Sequence, residues 1–186
     1  GFDDPAVASV LERKLAAEEN PKLIVALIEA LHRLNSADGL IHAERTAATY
    51  PTESIIAATV KYAADMRKGR AIDLIDSLLR VEGPRVRAAC AEALGLIRQN
   101  NIVPRLTTLF NDEDPMVRAA AFTTLLEVDS ANHDFYLRQA VDDPDFVLQA
   151  LAADAVGSLQ ADRYLPVLRT LMQRDAGVHV DVRRSI

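Results

Sequence analysis

The chain has 186 residues, a formal net charge of −6 at neutral pH and no tryptophan. This length allows one or two domains, and the acidic balance argues against a general phosphate-binding surface, which requires clustered lysine and arginine. The single cysteine excludes an internal disulfide. No apolar run approaches the length of a membrane-spanning helix, which is at least about 18 residues.

The predicted elements are helices that follow one another in pairs, since apolar residues recur at helical spacing between short polar turns with aspartate, asparagine or proline. The first helices of the pairs are predicted over residues 5–17, 37–49, 70–80, 101–110, 131–141 and 162–173. The second helices are predicted over residues 21–34, 52–67, 84–98, 115–128, 145–159 and 178–186.

A constant interval of thirty-one positions relates the second helices to one another. Ile55, Val86, Val117 and Leu148 are separated by this interval and begin equivalent apolar stripes. A fixed period in the range of about 20 to 50 residues indicates stacked supersecondary units whose neighbours share a core. The helix at 21–34 is expected to stand one residue out of this register, with the following stripe: Leu23, Ala26, Leu27, Ala30, Leu31 and Leu34.

The outward side of the second helices is predicted from the same frame. Positions three, seven and eleven after Pro84 or its equivalent are expected to point away from the core: Arg87, Ala91, Gly95, Arg118, Phe122 and Leu126. The adjoining positions are expected to face solvent: Ala88, Glu92, Ala119, Thr123, Ala150 and Asp154. This stripe is mostly small and mixed in charge, which suggests a protein or peptide partner.

Two segments, Pro84–Gly95 and Asp114–Leu125, resemble HEAT repeats, and more narrowly the short bacterial type also found in phycobilin lyase-like proteins. The resemblance implies an all-α fold, a right-handed superhelix of about six antiparallel helix pairs. It implies that the second helices line a concave surface where partners dock. We expect one repeat domain over residues 1–186. Because the chain lacks an initiator methionine and stops within a repeat, we expect it to be part of a longer protein.

The resemblance also implies a ladder of aspartate in the turn and arginine in the second helix. Arg87, Arg118 and Arg183 occupy the arginine position, and Asp112 precedes Arg118 by the usual six residues. Gln149 replaces the arginine that would follow Asp143, so the ladder is expected to be incomplete. Arg87 and Arg118 are alternatively contacts for an acidic partner, although the ladder is the favoured interpretation.

Four further groups have candidate chemistry, and in each case a structural role is favoured. Cys90 is a nucleophile, a chromophore attachment point or, as its frame position predicts, a small core residue. The histidines, His32, His42, His133 and His179, do not form chelating pairs, so no metal site is predicted. The basic run Arg67, Lys68 and Arg70 and the acidic group Asp142, Asp143 and Asp145 are expected to be solvated turns and helix caps.

The sequence therefore predicts a non-catalytic protein–protein interaction scaffold with no cofactor. The predicted partner-binding residues are Arg87, Glu92, Arg118, Phe122, Thr123 and Asp154. The alternative is a repeat domain of a larger enzyme, either phycobilin lyase-like or the accessory arm of a bacterial prolyl isomerase or protease. Nucleic-acid binding ranks third, and the single cysteine favours a cytoplasmic location.

Overall fold

The computed structural model describes residues 5–81 and 83–159, together with Tyr164, Pro166 and Arg169. The two described ranges form ten α-helices and contain no strand, so the predicted all-α class is confirmed. The helices are α1 Pro5–Ala16, α2 Pro21–Arg33, α3 Ala37–Thr49, α4 Glu53–Arg67, α5 Ile72–Val81, α6 Pro84–Ile97, α7 Val103–Leu109, α8 Pro115–Val128, α9 His133–Val141 and α10 Phe146–Leu159. Short 3₁₀ turns precede three of them, at Lys68–Ala71, Asn100–Ile102 and Ser130–Asn132.

The helix boundaries follow from local capping. Asn20 and Asp114 each accept a hydrogen bond from the backbone amide two residues later, at 3.0 Å and 2.9 Å, and a proline follows each cap. Such side chains satisfy amide groups that have no partner within the helix, and proline suits the first turn. The boundaries of the first ten predicted helices agree with the structure to within two residues, whereas the predicted helices 162–173 and 178–186 lie outside the two described ranges.

The chain divides into two compact units, residues 1–102 and 103–186. In the first unit, α4 packs against α2 on one side and α6 on the other, and it also contacts α3 and α5. The buried residues of α2 are Ile24, Leu27, Ile28 and Leu31, and the apolar Leu23 is 42% exposed. The predicted shift of register in this helix is therefore wrong, since Ile24 lies one repeat period before the buried Ile55.

Tyr62 joins two repeats within the first unit. Its hydroxyl lies 3.1 Å from the carbonyl oxygen of Leu31 and also at hydrogen-bond distance from that of Ser36. A Cβ atom on Gly39 would lie 2.8 Å from this hydroxyl, so glycine permits the approach of α3. Burial raises the pKa of Tyr62 to about 12. The two hydrogen bonds from the Tyr62 hydroxyl connect α4 to the turn between α2 and α3.

The second unit has a core of aromatic and aliphatic side chains between α7, α8, α9 and α10. Phe110 stacks on Phe122 with ring centroids 5.8 Å apart and meets Tyr136 edge-on at 6.1 Å. All three side chains are buried.

Across the described parts of both units, no helix is long and apolar enough to cross a membrane. The prediction of one repeat domain over residues 1–186 stays a prediction.

Candidate functional site

On the second helices α4 and α6, one side carries positions one and eight of the repeat frame at its borders and the buried position four between them. On α4 and α6 these are Ser54, Ala57, Lys61, Arg85, Ala88 and Glu92. Residues at these spacings share one side of a helix. We call this side of each second helix, in either unit, the second-helix face.

Polar contacts link α4 to α6 across this face. Lys61 Nζ lies 2.5 Å from Glu92 Oε2, and Arg85 donates to Ser54 Oγ at 3.1 Å. Each contact joins residues that are 31 positions apart, so each is a contact between equivalent positions of consecutive repeats. The buried alanines Ala57 and Ala88 lie at position four of the frame, between these two polar contacts. The face in the first unit is therefore a band of small residues bordered by paired polar side chains.

In the second unit, the second-helix face is formed by α8 and α10, which pack against each other. Its residues are Met116, Ala119, Thr123, Val147, Ala150 and Asp154. Met116 is 52% exposed and Val147 is 47% exposed, and the adjacent Phe146 is 40% exposed. Where α4 and α6 have a polar pair at position one, α8 and α10 thus have apolar side chains.

Arg118 connects the turn before α8 to the turn before α10. Its Nε and one terminal nitrogen donate to the two carboxylate oxygens of Asp143, both at 2.8 Å. Its other terminal nitrogen donates to the carbonyl oxygens of Asp112 and Glu113, each at 3.0 Å. The hydrogen bonds to Asp143 raise the pKa of the Arg118 guanidinium above its ordinary value. A bidentate pair of this kind is well suited to fixing two turns together.

Gln149 occupies the same frame position as Arg118 in the next repeat. Its side-chain amide donates to the carbonyl oxygen of Asp143 at 2.7 Å, six residues earlier, as Arg118 does to Asp112. One rung of the predicted ladder, Arg118 with Asp143, is therefore formed, and it joins consecutive repeats. The carboxylate of Asp143 pairs with the arginine of the preceding repeat, and the contact within a repeat is made to the backbone carbonyl.

The predicted outward positions need a correction. Phe122 and Ala91 are wholly buried, and Ala88 is also buried, so the expectation that they face outward is wrong. Position seven of the frame is apolar on α6, α8 and α10 (Ala91, Phe122 and Ala153), and all three side chains are buried. The apolar character that these positions share is the sequence signal that predicts their burial. Phe122 is therefore a core residue and offers no surface to a partner.

The other predicted partner-binding residues keep a surface position to different degrees. Glu92, Thr123 and Asp154 are exposed, and Arg87 is half-buried. Arg118 is only 12% exposed at its side chain and takes part in the network of the two turns. A contact between any of these five residues and a partner stays a prediction.

Cys90, His32 and His133 lie in the core or contact neighbouring residues of the fold. Cys90 is wholly buried, which confirms its predicted place in the core. The ring of His32 stacks on Tyr62 at 4.9 Å, and its Nε2 lies 3.0 Å from Asp65. His133 is buried with Nε2 2.7 Å from the carbonyl oxygen of Leu126. His179 lies outside the described residues.

The basic run at residues 67–70 is largely paired with nearby carboxylates. Arg67 donates to Glu44 at 2.9 Å, and Lys68 lies 2.6 Å from Asp65. The hydrogen bond from Lys68 lowers the pKa of Asp65. These contacts fit the predicted solvated turn. In the part of the chain that the structure describes, no group of histidine, cysteine and acidic residues is placed to hold a metal ion.

The acidic group before α10 acts in pairing and capping. Asp145 accepts hydrogen bonds from the backbone amides of Val147 and Leu148, at 2.9 Å and 3.3 Å. Asp143 accepts the pair from Arg118 and the backbone amide of Asp145, at 2.8 Å. The prediction of a helix cap is confirmed for Asp145, whereas Asp143 is shielded in its pair with Arg118 and is not solvated.

Charge is distributed unevenly between the two units. Residues 5–81 and 83–102 contain thirteen basic and eleven acidic side chains. Residues 103–159 contain three basic and ten acidic side chains, a net charge of −7 over this range. Over the whole of each unit, the formal net charge is −1 for residues 1–102 and −5 for residues 103–186, so most of the overall charge of −6 lies in the second unit.

Comparison with known families gives one match. A family model described as HEAT repeats matches residues 71–134 and, in an overlapping second match, residues 103–185. Together the two matches cover more than half of the chain. No curated protein matches the sequence.

Proposed function

Because this chain belongs to the HEAT-repeat family, we propose that it is a non-catalytic scaffold that binds a protein partner on the second-helix face. HEAT repeats are commonly protein-interaction scaffolds, and their fold is generally non-catalytic. The finer statement, that this chain binds through its second helices, is our own.

One observation supports the proposal above all: the face in the first unit is already ordered by contacts between repeats. The Lys61–Glu92 and Arg85–Ser54 contacts hold the polar borders, and the buried alanines between them have no rotamers to order. A surface that is pre-formed in this way loses little conformational entropy when a partner binds.

The proposed contacts are the exposed members of the face. Glu92 in the first unit and Thr123 and Asp154 in the second unit are accessible, and each lies at position eight of the repeat frame. Arg87 and Arg118 remain proposed as secondary contacts at the border of the face. Phe122 is excluded because it is buried.

The test is site-specific photo-crosslinking in cells that produce the chain. A photoreactive amino acid is placed at Glu92 or at Thr123, and matched placements at Ile41 and Arg138 sample exposed positions on first helices. We expect one protein to crosslink from Glu92 and Thr123 and not from the matched positions. Crosslinks that form only from Ile41 and Arg138, or equally from all four, would contradict the proposal.

A further inference from the structure

The N-terminal ends of α8 and α10 expose large apolar side chains that are close together in the repeat frame. Met116 and Val147 occupy equivalent positions on two helices that pack against each other, and Phe146 adjoins Val147. Single exposed apolar residues are ordinary, whereas contiguous exposed apolar patches mark interaction sites. We call these three residues the apolar patch.

An acidic border lies next to the apolar patch. The turns 112–114 and 142–145 contain six carboxylates, and the patch residues follow these turns directly. Arg118 binds both turns, and Gln139 donates to Asn111 at 2.9 Å, so the two turns are neighbours in space. By formal charge in the sequence, the six carboxylates and the Arg118 cation sum to −5.

The combination of patch and border specifies the chemistry of a partner. An apolar side chain would lose its water against Met116 and Val147, and lysine or arginine beside it would meet the carboxylates. Nucleic acid and anionic membranes would be repelled by the same charges. The patch has only three large side chains, whereas each side of a standard interface contributes about 20 to 30 residues, so a short segment fits it better than a folded domain.

We propose that the apolar patch and its acidic border dock a basic amphipathic peptide segment of a partner protein. This inference rests on the proposed scaffold function and names the chemistry of one partner. A second copy of the chain is disfavoured, because a two-fold contact through this patch would place the same acidic border against itself.

The test begins with a random peptide library selected on the protein, followed by fluorescence anisotropy with the peptides recovered. We expect lysine or arginine together with leucine, methionine or phenylalanine to be enriched. The double variant Met116→Ser and Val147→Ser should weaken binding about tenfold, because it removes the apolar contact. The double variant Glu113→Gln and Asp142→Asn leaves the capping carboxylates Asp114 and Asp145 intact. It should weaken binding about threefold and reduce its dependence on salt.

A matched control is available on α1, where Val7 and Val10 are 46% and 54% exposed. Val7→Ser and Val10→Ser should leave binding unchanged, and far-ultraviolet circular dichroism should be the same for all variants. Selection of acidic peptides, or of none, would overturn the inference. The inference would also be overturned if the protein dimerised in sedimentation and Met116→Ser with Val147→Ser abolished the dimer, because a second copy would then occupy the patch. Loss of peptide binding on substitution of Lys61 and Glu92 would overturn this inference alone and leave the scaffold function standing.

Discussion

Substitution of Arg118 by glutamine separates the two kinds of contact that this side chain makes. Arg118 donates to the carboxylate of Asp143 and to the carbonyl oxygens of Asp112 and Glu113. Gln149 demonstrates, at the equivalent position, that glutamine reaches the carbonyl six residues before it. Arg118→Gln is therefore expected to keep one carbonyl contact and to lose both hydrogen bonds to Asp143.

The expected loss of stability follows from the shielding of the pair. The side chains of Arg118 and Asp143 are 12% and 10% exposed. Hydrogen bonds to charged groups contribute about 1.5–3 kcal/mol, and removing one partner of a fully buried pair costs about 3–5 kcal/mol. Asp143 keeps its hydrogen bond from the amide of Asp145 and regains some water, so we expect a loss of about 2–3 kcal/mol. Arg118→Met also loses the carbonyl contact and should cost about 1 kcal/mol more.

The measurement is a double-mutant cycle of Arg118→Gln and Asp143→Asn, with the free energy of unfolding taken from urea titrations followed by circular dichroism. We expect a coupling of about 2 kcal/mol that changes little between about 0.1 M and 1 M salt, because a shielded pair is screened weakly. A coupling below about 0.5 kcal/mol, or one that disappears in high salt, would mean that the pair behaves as a surface ion pair. Equal stability of Arg118→Met and Arg118→Gln would refute the role of the carbonyl contact.

Four further substitutions provide three tests by urea titration. The hydrogen bond from Tyr136 lowers the pKa of Asp129, so its contribution is present above about pH 4 and lost as the pH falls. Tyr136→Phe should therefore cost about 1–2 kcal/mol at neutral pH and less at about pH 3, and an equal cost at both would count against it. Arg98 has a left-handed backbone (φ 52°), so Arg98→Gly should stabilise by about 0.5 kcal/mol, and a loss would refute this. Phe122→Ala should cost about 3–5 kcal/mol and the exposed Phe135→Ala under about 1 kcal/mol, whereas similar costs would contradict the burial.

Helix boundaries and the place of Cys90 were predictable because their signals are local or repeat along the chain. Asn20 and Asp114 cap helices through their own neighbours, so the chain within a few residues determines the start. Cys90 stands one repeat period before Ala121 and two before Ala152, and all three are buried. A position that is small and apolar in three repeats is well predicted as core.

The register of α2 was not predictable from its own sequence. Residues 23–28 are apolar without interruption, so a stripe that begins at Leu23 fits the helical period as well as one that begins at Ile24. The structure buries Ile24 and exposes Leu23, because Ile24 shares its frame position with Ile55. The period of the whole repeat carried the information that the helical period lacked.

The extent of burial on the second helices was underestimated for a similar reason. A helix that packs on one layer has one apolar stripe, but α4 contacts α2, α3, α5 and α6. On α8, contacts with α7, α9 and α10 likewise bury a wider arc, which takes in position seven of the frame and with it Phe122. The pairing of Arg118 with Asp143, 25 residues later, likewise depends on which turns become neighbours and not on the spacing within one repeat.

Candidate functional positions are therefore located by comparing equivalent positions of the frame between repeats. Buried positions must match their neighbours in adjacent repeats, so they are apolar or small throughout, whereas outward positions are free to differ. Position one of the frame is polar on α4 and α6, as Ser54 and Arg85, and apolar on α8 and α10, as Met116 and Val147. The charge changes in the same direction, from near balance to strongly acidic. Two units built on one frame thus present different chemistry, and we expect each to select a different part of a partner.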